Sequence, residues 1–201
     1  MIDEAVAAIR AGQPVVLPTD TVYGLCADPD REAPAQAVAR LKGREEGQPT
    51  ALLFRDIELL FESIPELRGG RVAAPVGALL PGPFTLILPN PAQRYRWLTG
   101  NNPEAIGVRV PRLDGPGADV LGRVGVVLAT SANLHGGPDP RRLDDVPEEI
   151  RQACGALVDG GELPGMPSTV LDLTGPEPKV LREGAVPAAE ALGQLGATSG
   201  G

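Results

Sequence analysis

Two periodicities alternate along this chain. In some stretches apolar residues recur every three or four positions, and in others they form short continuous runs, the marks of helices and of buried strands. Ile2, Val6 and Ile9 share one side of a helix predicted over Asp3–Ala11, which Gly12 closes. Val15–Leu17 is a short strand, ended by Pro18, which has no N–H to give a ladder. Val38 and Leu41 lie on one face of a helix over Ala33–Leu41. A strand at Ala51–Phe54 then leads into a helix from Asp56 to Ser63. Arg71–Leu80 reads as a helix with Pro75 in its first turn, and Leu80-Pro81-Gly82-Pro83 as a rigid turn into the strand Phe84–Leu88. Ala105–Val110 and Val124–Ala129 are two further strands. Asp145–Ala153 is a helix with acidic residues near its start, which suits the macrodipole. Leu157-Val158, Thr169–Leu173 and Val180-Leu181 supply the last strands, and Pro187–Leu195 the last helix. Helices interleaved with strands imply a layered α/β fold, and strands that follow one another directly imply a mixed sheet. Residues 1–195 are read as a single domain, a twisted mixed β-sheet flanked by helices, and 196–201 as a flexible tail.

The polar residues of interest stand at the ends of these elements. In Val15-Val16-Leu17-Pro18-Thr19-Asp20-Thr21-Val22-Tyr23-Gly24-Leu25, an apolar run stops in two hydroxyls and a carboxylate. Such groups between apolar flanks need hydrogen-bond partners, and strand ends are where α/β sheets bind ligands. Lys42-Gly43-Arg44 follows a helix, where cations and glycine are ordinary terminators. Ala129-Thr130-Ser131-Ala132-Asn133 follows a strand and either caps the next element or faces a ligand. Ser168-Thr169-Val170 opens a strand with two hydroxyls, and Val180-Leu181-Arg182-Glu183-Gly184 closes one with an arginine. In Gly107-Val108-Arg109-Val110-Pro111, an arginine alternates with apolar residues. A buried arginine there would need an anionic partner.

Composition narrows the chemistry. The chain has 201 residues, 42% of them hydrophobic and 3% aromatic, enough for an aliphatic core. Its formal net charge of −8 argues against a broad grip on nucleic acid, so an anion site must be a local basic cluster. Lys42 and Lys179 are the only lysines against 16 arginines, which singles them out for chemistry particular to lysine. Cys26, Cys154 and His135 are too few for a zinc site, a disulfide scaffold or a local metal cluster, and no metal-binding residue is expected. The cysteines read as small core residues and His135 as a turn residue. No apolar run nears the ~20 residues a membrane span needs, and Met1-Ile2-Asp3-Glu4 does not open a signal peptide, so a cytoplasmic location without membrane contact is expected.

Taken in order, these segments resemble the YrdC-like family, the threonylcarbamoyl-adenylate synthases also called TsaC. The matching pieces are Pro18 to Leu25, Lys42-Gly43-Arg44, Pro81-Gly82-Pro83-Phe84-Thr85, Val108 to Pro111, Ser131-Ala132-Asn133, Ser168-Thr169-Val170 and Leu181 to Gly184. They run from about residue 3 to about residue 190 and match the short form of the family. The resemblance implies the YrdC-like fold with a concave active-site cavity. It also implies a reaction that joins L-threonine, bicarbonate or CO2 and ATP into threonylcarbamoyl-AMP, with ATP as substrate and Mg²⁺ held mainly by the nucleotide. Lys42, Arg44, Ser131 and Asn133 match the family's signature tetrad. Thr19 or Thr21, Arg109, Ser131 and Ser168 match threonine contacts, with Thr21 favoured. Lys42, Arg44, Thr85, Asn133, Arg141 and Arg182 match ATP contacts. Downstream, a threonylcarbamoyl transferase complex of TsaD, TsaB and TsaE type would modify tRNA, which this chain would touch weakly or not at all.

Departures from the pattern concern the nucleotide. Glu45 and Gln48 stand where the family usually has Pro and Asn, and Glu45-Glu46 are expected to face solvent. Asp139-Pro140-Arg141 replaces a small hydroxyl residue, so Arg141 either adds a charged contact or lies outside the site. The rival readings are a YciO-like paralogue with weak or different nucleotide chemistry, a non-catalytic RNA-binding module, and a carbamoyl-transfer module of the kind found in hydrogenase maturation.

Overall fold

The computed structural model describes residues 1–44 and 47–198; Glu45 and Glu46, like the end of the expected tail, lie outside the described residues. The strands are β1 Val15–Pro18, β2 Tyr23–Ala27, β3 Ala51–Phe54, β4 Phe84–Pro89, β5 Ala105–Arg109, β6 Val126–Ser131, β7 Ala156–Leu157, β8 Thr169–Asp172 and β9 Lys179–Arg182. They form one mixed sheet in the order β7-β1-β2-β6-β3-β5-β4-β8-β9. The helices are α1 Ile2–Arg10, α2 Glu32–Lys42, α3 Ile57–Ser63, α4 Ala73–Leu79, α5 Gly115–Val124, α6 Glu148–Ala153 and α7 Ala188–Thr198. α7 thus extends to Thr198, into the stretch expected to be tail.

Four local readings are corrected. Tyr23–Ala27, expected only as the flank of a polar turn, is the strand β2, paired antiparallel with β1 and β6. α5 was not expected, because Gly115-Pro116-Gly117 reads as a loop. Proline is tolerated in the first turn, and Gly117 is needed because any side-chain carbon there would strike the Pro18 carbonyl. α5 ends at Gly125, whose φ of 85° favours glycine, so the next strand begins at Val126 and carries Thr130 and Ser131 within it. The helix expected from Asp145 starts at Glu148, after a 3₁₀ turn at Leu143–Asp145.

The two faces of the sheet are buried unequally. On one, Leu25, Leu52, Leu86, Val108, Leu128 and Leu171 pack beneath α2, α3, α4, α6 and α7 through residues such as Val38, Leu60, Val76, Ile150 and Ala191. Each fully buried leucine there contributes about 2 kcal/mol. On the other, α1 and α5 cover only Val15, Leu17, Cys26, Leu53 and Val127, through Val6, Ile9, Val120 and Leu121. Two residues further along each strand, that second face presents Gly24, Ala129, Ala51 and Gly107. Strand by strand, the packed side chains give way to residues with almost none.

Candidate ligand-binding cleft

That bare floor is the bottom of a cleft enclosing about 860 Å³, including the space at its mouth. Polar groups rise around the floor from the β1–β2 turn, the end of α2, β4, β5, β6 and the approach to β8.

Thr19, Asp20 and Thr21 form the β1–β2 turn. Thr19 Oγ1 donates to Val22 O at 2.7 Å and accepts from the backbone N–H groups of Thr21 and Val22, both at 3.3 Å. Its hydroxyl is thus spent on the turn. Thr21 Oγ1 is 3.2 Å from Thr19 Oγ1 and accepts from Arg109 Nη2 at 3.3 Å. Arg109 Nη2 also donates to Asp20 Oδ1 at 2.8 Å, an ion pair in which the side chains are 11% and 7% exposed. Burial pushes the Asp20 carboxyl up against the pull of Arg109, and burial lowers Arg109 against the pull of Asp20. The expected buried arginine with an anionic partner is therefore found.

Lys42 and Arg44 behave differently from one another. Lys42, read from the sequence as an ordinary helix terminator, is 3% exposed and lies behind the cleft wall. Its ammonium donates to Ser131 O at 2.6 Å, to Asn133 O at 3.1 Å, to Asn133 Oδ1 and to Ser131 Oγ at 3.2 Å. Asn133 is also buried, and Oδ1 accepts a second bond from Ser131 Oγ at 2.7 Å. The lysine thus locks Ser131, which lines the cleft, to Asn133, which does not. Burial, with the Arg44 cation second, pushes Lys42 down to about 8, while Asp139 opposes the shift. Arg44 lines the cleft and donates to Thr130 Oγ1 at 2.7 Å and Pro49 O at 3.1 Å. Among the described residues no carboxylate pairs with it, and its buried Nε has no partner.

At the far side, Thr85 Oγ1 and Ser168 Oγ share a hydrogen bond of 2.7 Å. Arg182 donates through Nε and Nη2 to Ser168 O, at 3.2 and 2.8 Å. A bulge in β9, with Val170 opposite Arg182 but Leu171 opposite Val180, turns Arg182 to the cleft side. Arg141 lies apart: it pairs with Glu162 at 2.9 Å on the exposed surface and does not line the cleft. Gln48 is exposed, whereas Pro49 lines the cleft. Sequence reasoning missed Asp139 and Gly107 as lining residues. An isolated glycine within a strand was the available signal for Gly107.

The cleft therefore gathers Arg44, Arg109 and Arg182 in a chain of net charge −8. It suits an anion, with hydroxyls to orient a second polar group. Among the described residues no three metal-binding side chains cluster, and no helix is long and apolar enough to cross a membrane. Both thiols are pushed up to about 12 by burial and are inert as nucleophiles.

Comparison with known proteins follows this geometry. Residues 7–184 match the Sua5/YciO/YrdC family model, described as telomere recombination. A Mycobacterium tuberculosis protein with a provisional threonylcarbamoyl-AMP synthase name is 35% identical over 189 residues, 92% of this chain and 84% of that one. The crystal structure of Pyrococcus abyssi Sua5 complexed with L-threonine aligns with a TM-score of 0.84 at 32% identity, over 97% of this chain and 57% of the other. This chain thus spans a little over half of the Pyrococcus protein's length. Escherichia coli YciO aligns with a TM-score of 0.79 at 28% identity, over 94% and 91% of the two chains.

Proposed function

Because this chain belongs to the Sua5/YciO/YrdC family, we propose that it is a threonylcarbamoyl-AMP synthase, joining L-threonine, bicarbonate or CO2 and ATP with release of pyrophosphate. The arginine-lined cleft on the open sheet face supports this most directly. Among the described residues, two of its three arginines, Arg44 and Arg182, have no carboxylate partner, which suits a site for phosphates. Thr85 stands beside Arg182 through Ser168 and completes the nucleotide side. Arg109 receives the threonine carboxylate, flanked by Thr21, Ser131 and Ser168. Thr21 takes this role over Thr19, whose hydroxyl the turn has consumed. Lys42 and Asn133 act from behind by holding Ser131, and Arg141 acts on the outer surface if at all.

The reaction needs no enzyme nucleophile. The threonine amine attacks CO2, a carbamate oxygen then attacks the α-phosphorus, and pyrophosphate leaves. The protein positions the reactants and neutralises charge. Mg²⁺ fits as a passenger on the nucleotide: among the described residues Asp139 is the one lining carboxylate, and no full protein cage is present. When bound it neutralises phosphate charge. The product would pass to a transferase complex of TsaD, TsaB and TsaE type that modifies tRNA in the cytoplasm.

Pure protein with ATP, L-threonine, bicarbonate and Mg²⁺ is expected to release pyrophosphate only when threonine is present. A folded sample that releases none favours the YciO-like reading, and salt-dependent RNA binding without ATP turnover favours the RNA-binding one. Gly107→Val gives a second check. Its Cβ would stand 3.3 Å from Ala51 Cβ and 3.4 Å from Ile87 Cδ1, so those neighbours must give by a few tenths of an ångström, and its methyls would enter the cleft. The variant should melt at or near the wild-type temperature by circular dichroism and lose pyrophosphate release.

A further inference from the structure

Asp20 has no part in the chemistry above, yet its placement is unusual for a carboxylate. It stands behind Arg109, outside the cleft lining, and meets that arginine through a single nitrogen. Asp20 Oδ2 and Arg109 Nε are both buried without a hydrogen-bond partner. The pair is therefore an end-on contact rather than a two-pronged fork, and Arg109 Nη1 keeps no partner among the described residues. Nη2 is held and Nε is buried, which leaves Nη1 as the nitrogen for a ligand in the cleft that Arg109 lines. Arg182 lies near enough to repel Arg109, so without Asp20 two neighbouring cations would be left uncompensated.

We infer that Asp20 is a specificity-determining residue: by neutralising Arg109 it makes that end of the cleft accept a zwitterionic amino acid and refuse a phosphate group. This rests on the proposed threonine site at Arg109. An amino acid brings a carboxylate and an ammonium, so the nearly dry Asp20–Arg109 pair stays balanced when it binds. A phosphate would leave one or two negative charges uncompensated in the same place, which a low-dielectric site penalises heavily. Arg44 and Arg182, which have no carboxylate partner among the described residues, carry no such restriction. The cleft thus sorts its two anionic ligands by which arginine has a counter-charge, a repulsive element set against the wrong occupant.

The test compares wild type, Asp20→Asn and Asp20→Glu by calorimetric titration of L-threonine with and without inorganic phosphate, alongside KM for ATP. In the wild type and Asp20→Glu, phosphate should leave threonine binding unchanged. In Asp20→Asn, threonine should bind at least about tenfold more weakly. Phosphate should compete with it directly, and KM for ATP should move less than about threefold. Unchanged threonine affinity in Asp20→Asn, or no phosphate competition there, overturns the proposal. Should Asp20→Asn not fold, Asp20→Ser, which also removes the counter-charge and keeps Arg109, replaces it. Phosphate competition in that variant with none in Asp20→Glu supports the proposal; no competition in that variant, or entry of phosphate into Asp20→Glu, overturns it. Wild-type protein that binds no threonine would instead overturn the proposed function, before any variant is compared.

Discussion

Arg44→Ala should cut threonine-dependent pyrophosphate release by about a thousandfold and leave the fold standing. The side chain spans the cleft wall with hydrogen bonds to the Pro49 carbonyl and the Thr130 hydroxyl, all to neutral partners. Removing it strands no opposite charge, so the stability cost is about 1 kcal/mol, or a few degrees of melting temperature. The catalytic cost is larger because a guanidinium aimed at a charged phosphoryl group in a partly dry site supplies most of the local stabilisation. Stopped assays with saturating ATP and a melt by circular dichroism check both halves. A variant keeping a tenth or more of wild-type turnover would remove Arg44 from the proposed nucleotide contacts.

Lys42→Met should lose activity as completely, but with a different signature. It leaves the Ser131 and Asn133 carbonyls without the buried donor they share, and Asn133 Oδ1 with Ser131 alone. A loss of about 3 kcal/mol is expected, lowering the melting temperature well beyond the Arg44→Ala change. Wild-type pH dependence offers a test that spares the fold. Burial holds Lys42 at about 8, whereas an unfolded lysine keeps its proton to about 10.4. Between those values the unfolded chain binds more protons than the folded one, so this group's contribution to stability rises with pH. The ammonium that locks Ser131 to Asn133 is lost over the same window. Pyrophosphate release should therefore show an alkaline limb centred near pH 8 with no fall in melting temperature there. Activity and melting temperature falling together would point to general unfolding.

Much of this site was legible because local rules place its residues at element ends. The β1–β2 turn, the glycine-closed end of α2 and the hydroxyls before β8 each followed from strand, cap and turn chemistry read within a few residues. What escaped depends on partners far along the chain. Asp20 meets Arg109, and Lys42 meets Ser131 and Asn133, across separations near 90 residues that only the sheet order brings together. Burial of Lys42 behind the wall was invisible for the same reason: it stands between Leu41 and Gly43 at a helix end, and the groups that enclose its ammonium come from Ser131 and Asn133. α5 hid behind Gly115-Pro116-Gly117, where the demand for glycine comes from Pro18 on another element. Arg141 drew attention by its charge and position after Asn133, yet Glu162 holds it outside.

The floor of Gly24, Ala51, Gly107 and Ala129 leads to a different conclusion about how such a cleft persists through mutation. Glycine and alanine are poor strand formers, and by intrinsic preference a strand favours valine or isoleucine. Drift judged by folding alone would fill the floor. The cleft is therefore a place where selection for chemistry opposes selection for stability, and its emptiness is the trace of that contest.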